Sequence, residues 1–414
     1  MADPVKVLYL IGQFPAINHS YLLAEIRHLR ALGFDVRVAS VSDPDRPPEQ
    51  LSPVEQEEAA RTYYVKSVPL LKIALLNTSE FLRHPIRWLR GLFFALRLAH
   101  SLRRAVYHIA YFAEAILVGR YMRQGGVTHV HASFSATVAL IATRAFPVTM
   151  SFGVYGFGEL HNPAQTHLAE RIQGALLVRS ISGHGRGQLM LSCDRSSWNK
   201  LIHVPLGIEP SEFAPAEKGT VSSPPRLLCV GRLAPEKGQS LLLEAVTSLA
   251  ASQCPVSLCF IGDGPDRKFL EQQAAELGLA SSVEFAGWVD QERLRAEYAR
   301  TDLFVLPSLA EGIPMVLMEA MAMQIPCVAP CITGIPELIE DGVDGVLYTV
   351  GDSQNLSRKL LALLQSPERM ENIGKQARVK VMQQYDLAQN TKRFAAVLRE
   401  WLEEPGSPGK FTDC

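Results

Sequence analysis

The sequence lacks any uninterrupted apolar stretch that approaches the ~20 residues a membrane-spanning helix requires. No basic leader precedes the short apolar run Val5–Leu10, so this run is predicted to be a first strand and not a signal peptide. The formal net charge of −1 also gives no overall excess of positive charge, which a nucleic-acid-binding domain normally shows. These absences argue against an integral membrane protein and against a nucleic-acid partner.

Cysteine is scarce, with seven residues scattered along 414 positions. Cys327 and Cys331 lie close together, yet no second Cys or His pair stands nearby to complete a tetrahedral zinc site. Cys229 and Cys259 fall inside apolar runs, where a thiol behaves as a small hydrophobic side chain. We therefore expect reduced thiols, a cytoplasmic protein and no bound metal.

What the chain does contain is a repeated alternation of apolar strands and amphipathic helices. A helix is predicted over about Tyr21–Leu32, and the strands around it and after it are Val5–Leu10, Phe34–Ala39, Thr128–His131, Val148–Phe152 and Ala175–Val178. Strands that are apolar on both faces and separated by helices indicate a parallel sheet covered on both sides. The same rhythm restarts at Arg226–Val230. The prediction is an α/β chain of two doubly wound, Rossmann-like domains that face a cleft.

The domain boundaries follow from changes in composition. Residues 1–214 are predicted to form the first domain, residues 215–225 a linker rich in turn formers, and residues 226–385 the second domain. A C-terminal helix over 386–404 and a tail over 405–414 complete the chain. In doubly wound sheets ligands bind beyond the carboxyl ends of the strands, so the site is expected in the loops there.

The first domain carries a helical insertion, predicted over about residues 55–124. From Lys66 to Arg123 it has ten Lys or Arg against two acids, Glu80 and Glu114. Its central cations and large apolar residues are Arg87, Trp88, Leu89, Arg90, Leu92, Phe93, Phe94, Leu96 and Arg97. Two interpretations remain open: an amphipathic helix that covers the core and turns its arginines to water, or a peripheral face that binds anionic headgroups. We favour the second, which would suit an acceptor on a lipid carrier.

One group of candidate site residues follows the predicted strand Leu303–Leu306. Glu311 lies in the next loop, and Glu319 lies on the second turn of a helix that Pro314 is predicted to open. The start of this helix offers free N–H groups and a positive dipole end, which suit phosphate. The two carboxylates would then bind a sugar and a ribose. Taken alone, the two carboxylates are explained equally well without a ligand, as one charge near the N-terminus of a helix and one solvated glutamate.

A second group follows the strand Arg226–Val230. Gly231 permits a tight turn, and Arg232 and Lys237 lie on the same loop, where they could neutralise a diphosphate. Taken by itself, this loop is better explained as an ordinary polar loop with two solvated cations. Two further strand ends along the same edge of the second sheet are Gly262-Asp263-Gly264-Pro265 and Gly287-Trp288-Val289.

Together these motifs resemble those of retaining glycosyltransferases of the GT-B fold, glycosyltransferase family 4. The family pattern is a Gly-Arg-x4-Lys-Gly loop, a Gly-x-Gly-Pro turn, a Gly-Trp/Tyr-Val strand end and a Glu-x7-Glu motif. This sequence has them, in that order, at Gly231–Gly238, Gly262–Pro265, Gly287–Val289 and Glu311–Glu319. The segment Phe14-Pro15…Glu25-Ile26 is typical of exopolysaccharide-type members, and the resemblance spans nearly the whole chain.

The resemblance implies transfer of a sugar from a UDP- or GDP-type nucleotide sugar to a glycan or lipid-linked acceptor, with retention and without a metal ion. Arg232 and Lys237 would bind the diphosphate, Glu311 the donor sugar and Glu319 the ribose. The other implied donor-binding residues are Gly231 and Gly262, and the backbone N–H groups of Gly312, Ile313, Met315 and Val316. No cofactor is implied, since the nucleotide sugar is a substrate. The setting would be polysaccharide or glycoconjugate biosynthesis in the cytoplasm, with possible peripheral contact on the inner face of the cell membrane.

One segment departs from the family pattern. Members usually carry a His in a segment like Ser-Phe-Thr-x-His-Gly-x-x-Glu, whereas Tyr155 stands in its place within Ser151–Leu160. A Tyr with an unperturbed pKa of ~10 mainly donates, whereas a His donates or accepts near neutral pH. Tyr155 and Gly12 are therefore uncertain site residues. The alternative prediction is a catalytically silent GT-B relative that serves as a binding or scaffold subunit.

Overall fold

The computed structural model describes residues 4–99, 101–215 and 221–403, and the chain divides into two compact units. The first unit takes in the chain up to Ile181, Gly185–Val204 and the residues from Ala388 onward. The second takes in Ser182–His184 and Pro205–Leu387. Residues 216–220 of the predicted linker and the whole predicted tail, 405–414, lie outside the described residues.

The first unit contains a seven-stranded parallel sheet with the strand order β3-β2-β1-β4-β5-β6-β7. Its strands are β1 Val5–Gln13, β2 Phe34–Ser42, β3 Tyr63–Tyr64, β4 His129–Ser133, β5 Thr149–Val154, β6 Leu177–Ser180 and β7 Leu201–His203. Strand β3 was not predicted, because two residues are too short to show an alternating pattern. It pairs with Ala39 and Ser40 at the edge of the sheet, inside the insertion that was predicted to be helical.

The helices that follow these strands are α1 Ser20–Ala31, α2 Pro53–Arg61, α3 Leu70–Arg83, α4 Pro85–Leu98, α5 Leu102–Gly125, α6 Ala136–Ala145, α7 Phe157–Leu160, α8 Leu168–Gly174 and α9 Gly183–Leu191. Helix α1 buries Leu22, Ile26 and Leu29, which share one face at helical spacing. Helix α4 approaches α6 closely because Gly91 has no side chain. A Cβ on Gly91 would lie 2.9 Å from Ala145 Cβ.

The second unit contains a six-stranded parallel sheet with the order β10-β9-β8-β11-β12-β13. Its strands are β8 Arg226–Val230, β9 Ser257–Ile261, β10 Val283–Gly287, β11 Leu303–Val305, β12 Cys327–Pro330 and β13 Val346–Tyr348. The chain runs outward from β8 to β10 and then returns to add β11 on the other side of β8. This reversal places a topological switch point between β8 and β11, where ligands bind in doubly wound sheets.

The helices of this part of the chain are α10 Gln239–Ala251, α11 Arg267–Glu276, α12 Gln291–Ala299, α13 Met315–Ala322, α14 Ile335–Leu338, α15 Ser353–Leu364, α16 Pro367–Gln384 and α17 Leu387–Glu403. The helix that Pro314 is predicted to open corresponds to α13, which begins one residue later. Across the described ranges, we find no helix that combines the length and the apolar character needed to cross a membrane.

The change of unit comes between Val204 and Pro205, earlier than the predicted end of the first domain at residue 214. The reason is a pair of backbone hydrogen bonds around Ile208. Its N–H donates to Tyr385 O at 2.9 Å, and its carbonyl accepts from Leu387 N–H at 2.9 Å. The helix predicted over 386–404 is α17, most of which is counted with the first unit.

Candidate active site

The loops after β8 and β11 meet at the carboxyl edge of the second sheet, because the two strands are neighbours. Leu309 N–H donates to the carbonyl of Glu236 at 2.8 Å, which ties the two loops together. Gly238 has a φ of +64°, and a Cβ there would overlap the carbonyl oxygen of Pro307. The local fold therefore requires glycine at the end of the first loop, and the predicted motif contains it.

Lys237 and Glu311 come together across these loops. Lys237 Nζ lies 2.6 Å from Glu311 Oε1, although the residues are 74 positions apart in the sequence. The same oxygen accepts a hydrogen bond of 2.7 Å from the hydroxyl of Ser308, whose side chain is completely buried. Lys237 is therefore paired and partly buried, which contradicts the interpretation of this loop as one with two solvated cations.

Arg232 lies on the same loop but is more exposed, and it forms an ion pair with Glu236. The hydrogen bond from Arg232 holds the pKa of the Glu236 carboxyl below its usual range. The loop is braced by Gln239, whose side-chain N–H donates to the Arg232 carbonyl at 2.9 Å. Two cations thus lie on one loop, one at the surface and one beside Glu311.

Gly231 and Gly262 close the neighbouring strand ends against each other. Gly231 N–H donates to Ile261 O at 2.9 Å, and a Cβ on Gly262 would overlap the carbonyl oxygen of Gly231. Gly262 also has a φ of +129°, which side-chain-bearing residues rarely adopt. Gly262 therefore has a structural reason for its identity, and both glycines border the predicted diphosphate loop.

Helix α13 begins at Met315, and Pro314 lies just before it. The prediction that Pro314 occupies the first helical position was therefore wrong by one residue. Pro314 has an extended backbone, with a φ of −75° and a ψ of 124°, and serves as the N-cap residue. Leu317 N–H donates to Pro314 O at 3.2 Å. The first N–H groups of the helix, those of Met315 and Val316, have no earlier turn to bind and are the ones suited to an anion.

Glu319 is buried on α13, which contradicts the interpretation of it as a solvated glutamate. Its Oε2 accepts a hydrogen bond of 2.9 Å from the hydroxyl of Tyr298 on α12. Burial raises the pKa of the Glu319 carboxyl to about 7. Sequence reasoning missed Tyr298 and Ser308, because nothing in their local pattern shows which carboxylate they reach.

The two uncertain residues, Gly12 and Tyr155, both border Phe134 in the first unit. A Cβ on Gly12 would lie 3.3 Å from Phe134 Cβ, and the rings of Phe134 and Tyr155 are 5.1 Å apart. The Tyr155 hydroxyl lies 2.9 Å from that of Ser133, and burial raises the Tyr155 pKa well above its usual value. These residues therefore meet at the carboxyl edge of the first sheet, where Tyr155 is a buried, neutral hydroxyl.

Glu159 is a half-buried carboxylate beside Tyr155 that sequence reasoning did not select. It accepts a hydrogen bond of 3.0 Å from the N–H of Tyr155, and burial raises its pKa to about 7. The expected absence of a zinc site concerned Cys327 and Cys331. In the part of the chain that the structure describes, no group of three or more His, Cys, Asp or Glu is placed to hold a metal ion.

Comparison with known proteins shows what the chain around this site is similar to. Residues 210–380 match the family described as glycosyl transferases group 1. The amylovoran biosynthesis glycosyltransferase AmsK of Erwinia amylovora is 26% identical over 426 residues, which cover 95% of this chain and 99% of that protein.

Two solved structures share the fold over nearly the whole chain. HepE of Anabaena in complex with UDP has a TM-score of 0.72 at 19% identity, covering 96% of this chain and 100% of its own. Sucrose-phosphate synthase of Thermosynechococcus elongatus has a TM-score of 0.74 at 19% identity, covering 96% and 99%. The protein is a glycosyltransferase with the GT-B fold, and its residues 210–380 match the model of the glycosyl transferases group 1 family.

Proposed function

We propose that this glycosyltransferase moves a sugar from a UDP- or GDP-type nucleotide sugar to a glycan or lipid-linked acceptor. The observation that carries the proposal is the 2.6 Å contact of Lys237 with Glu311 beside the start of α13. This places a cation, a carboxylate and free backbone N–H groups at the switch point of the second sheet. The same three elements suit a diphosphate joined to a sugar.

The chemistry follows from the charge that develops when the donor breaks. Cleavage of the glycosyl–phosphate bond increases the negative charge on the departing diphosphate. Arg232, Lys237 and the N–H groups at the start of α13 can stabilise this charge without a metal ion. An ammonium has three N–H donors, so Lys237 can hold Glu311 and still reach a phosphate oxygen. We propose retention at the anomeric carbon and no cofactor.

The remaining donor contacts follow the resemblance to the family pattern. Glu311 would accept a hydrogen bond from a hydroxyl of the transferred sugar, and the buried Glu319 would accept from the ribose. Gly312 and Ile313 would contribute N–H groups between them. AmsK is named for amylovoran biosynthesis and HepE was solved with UDP, which supports a polysaccharide product and a UDP donor. We propose a cytoplasmic location for this reaction.

A thermal-shift screen against UDP, GDP and ADP sugars tests the proposal, because a ligand that binds only the folded protein stabilises it by mass action. One class of nucleotide sugar should raise the melting temperature and should be slowly hydrolysed when no acceptor is present. Binding without hydrolysis or transfer would instead favour the silent binding or scaffold subunit. No shift with any nucleotide sugar would contradict the proposed donor.

The pH dependence of donor binding should report Glu319. Its pKa of about 7 means that the carboxylate is mostly protonated at pH 6 and mostly ionised at pH 8. If only the ionised form accepts from the ribose, affinity for the nucleotide sugar should rise about tenfold over this range. Isothermal titration at both pH values measures it. Glu319→Gln should remove the rise, and an unchanged pH dependence in that variant would contradict the assignment.

We also propose that the insertion binds the surface of an anionic membrane. Trp88, Leu92 and Phe94 pack against the core of the first unit, as expected of an amphipathic helix that covers a core. Leu89 and Phe93, from the same predicted set, are exposed. Helix α4 therefore has one apolar side in the core and further apolar side chains at the surface.

Large apolar side chains are also exposed on the two helices next to α4 in the sequence. Leu70, Leu82, Ile86, Phe93 and Leu102 expose 83%, 73%, 81%, 70% and 91% of their surfaces. We call these exposed side chains of α3, α4 and the start of α5 the apolar face. Large apolar side chains exposed on three neighbouring helices are the kind of surface that marks an interaction site.

The charge around the apolar face selects its partner. No acidic residue occurs between Glu80 and Glu114, whereas Arg83, Arg87 and Arg90 in this stretch are exposed. Glu80 itself is buried and paired with arginines of α5. A second copy would present the same positive charge and be repelled, so an anionic bilayer is the partner that satisfies both properties.

Replacing Ile86 and Phe93 by serine should weaken binding to vesicles of phosphatidylglycerol and phosphatidylcholine about tenfold or more, since two large side chains no longer insert. Co-sedimentation at low salt measures the partition coefficient. Leu191→Ser is the matched control, because Leu191 is 82% exposed on α9, outside the apolar face. Equal binding by all three proteins, or no binding by the wild type, would contradict the proposal.

A further inference from the structure

Tyr298 is buried in the second unit and points its hydroxyl at a proposed donor-binding residue. Its ring lies near those of Phe213 and Phe304, with centroids 6.4 and 5.9 Å away. The hydroxyl donates to Glu319 Oε2 at 2.9 Å. Burial raises the pKa of Tyr298 well above its ordinary value, so the hydroxyl keeps its proton and remains a donor.

The Glu319 carboxylate is held through one oxygen. Within the described ranges, the hydrogen bond from Tyr298 is to Oε2, and no protein group donates to Oε1. Glu319 keeps 9% of its surface exposed, so the residue is not completely sealed inside the protein. A carboxylate with one fixed oxygen has a defined orientation, and the second oxygen can accept from a ligand.

We infer that Tyr298 is a positioning residue for the donor: it holds Glu319 Oε2 so that Oε1 is presented to a ribose hydroxyl. This inference rests on the proposed function, in which Glu319 binds the ribose. Tyr298 does not touch the nucleotide itself. Its contribution is to fix the acceptor before the donor arrives, which reduces the ordering that binding would otherwise require.

The Tyr298 hydroxyl has a second acceptor, to which it can donate when Glu319 is protonated. The carbonyl oxygen of Val316 lies 3.4 Å from Tyr298 Oη. When Glu319 takes up a proton, it can donate to Tyr298 Oη while the Tyr298 proton turns toward Val316. The titratable groups that influence the Glu319 carboxyl are Tyr298 and Glu212. The nearby guanidinium of Arg378 is engaged by the carbonyl oxygens of Phe213 and Ala322.

The test compares UDP with 2′,3′-dideoxy-UDP, or the corresponding guanosine pair if the donor screen selects GDP. Wild-type protein should bind the ribonucleotide about tenfold more tightly than the dideoxynucleotide, as expected for a hydrogen bond to a charged group. Tyr298→Phe should lose about tenfold in affinity for the ribonucleotide and remain within about twofold for the dideoxynucleotide. Isothermal titration of both proteins gives the four dissociation constants.

Two further measurements separate positioning from a merely structural role. The hydrogen bond from Tyr298 favours ionised Glu319, so its removal should cost more affinity at pH 7 than at pH 9, where the carboxylate ionises in both proteins. Tyr348→Phe is the control, because the Tyr348 hydroxyl is buried in the same unit with no hydrogen-bond partner among the described residues. It should change neither affinity.

Four other binding results would contradict the inference or the proposed function. Equal losses for both nucleotides in Tyr298→Phe, at every pH, would mean that the hydroxyl serves only the fold. An unchanged ribonucleotide affinity would mean that Glu319 does not need it. Equal binding of both nucleotides by the wild type would mean that Glu319 does not bind the ribose hydroxyls. A wild type that binds no nucleoside diphosphate would overturn the proposed function itself.

Discussion

Replacing Lys237 by alanine is expected to lower turnover at least about a hundredfold, which corresponds to about 3 kcal/mol of lost transition-state stabilisation. The ammonium is the partly buried cation beside Glu311, so no other side chain on its loop can replace its charge at that point. Arg232 is more exposed and already paired with Glu236. The measurement is kcat and KM with the nucleotide sugar that the thermal-shift screen identifies.

Lys359→Ala is the matched control for this variant. Lys359 also belongs to the second unit and pairs with a carboxylate, that of Asp341, but it lies on α15, away from the loops after β8 and β11. Its loss should leave kcat within about twofold, as expected for an exposed ion pair. The kcat of Glu311→Ala should fall as far as that of Lys237→Ala. The loss of kcat in the double variant should be much smaller than the product of the two single losses. Near-normal turnover in both single variants would remove the site assignment.

Replacing Arg179 by methionine is expected to lower the free energy of unfolding by about 3–5 kcal/mol. Arg179 and Glu25 form an ion pair in which both side chains are completely inaccessible to solvent. Tyr9 donates a further hydrogen bond of 3.0 Å to Glu25, and Arg179 Nε donates one of 3.0 Å to Val204 O. The variant leaves a buried carboxylate without its counterion. Urea unfolding followed by circular dichroism measures the loss.

Arg61→Met provides the comparison for that experiment. Arg61 and Glu57 form an ion pair one helical turn apart, with 62% of each side chain exposed. Because solvent already screens this pair, its removal should cost about 0.5 kcal/mol or less. Replacing both Glu25 and Arg179 by methionine should recover part of the stability, since no charge then remains buried. Equal unfolding curves for Arg179→Met and Arg61→Met would contradict the role given to the buried pair.

The elements of both sheets could largely be predicted from local patterns. The strand Arg226–Val230 has the predicted ends, and the C-terminal helix predicted over 386–404 is observed over Leu387–Glu403, because uninterrupted apolar runs and helical spacing are local properties of the sequence. The departures occur where local signals are weak. Strand β3 is two residues long, and Pro314 can begin a helix or precede one with the same φ.

In the helical insertion, local sequence patterns likewise could not decide which side chains are exposed. Its composition indicated both a core-covering helix and a membrane face. Composition could not assign Phe93 to the exposed side and Phe94 to the core, because adjacent helical residues diverge by about 100° and the core side depends on neighbouring helices. The pairing of Glu80 with Arg120 and Arg123 likewise joins α3 to α5 over some forty residues.

By itself, the sequence determined which residue types are available to the donor site: two cations on one loop, two carboxylates near a helix start, and the glycines that let strand ends approach. Only the tertiary structure decided that Lys237 meets Glu311 and that Tyr298 meets Glu319. The reason is that these contacts join residues 74 and 21 positions apart. Such distances are closed by strand order and helix packing, which no local preference of the chain encodes.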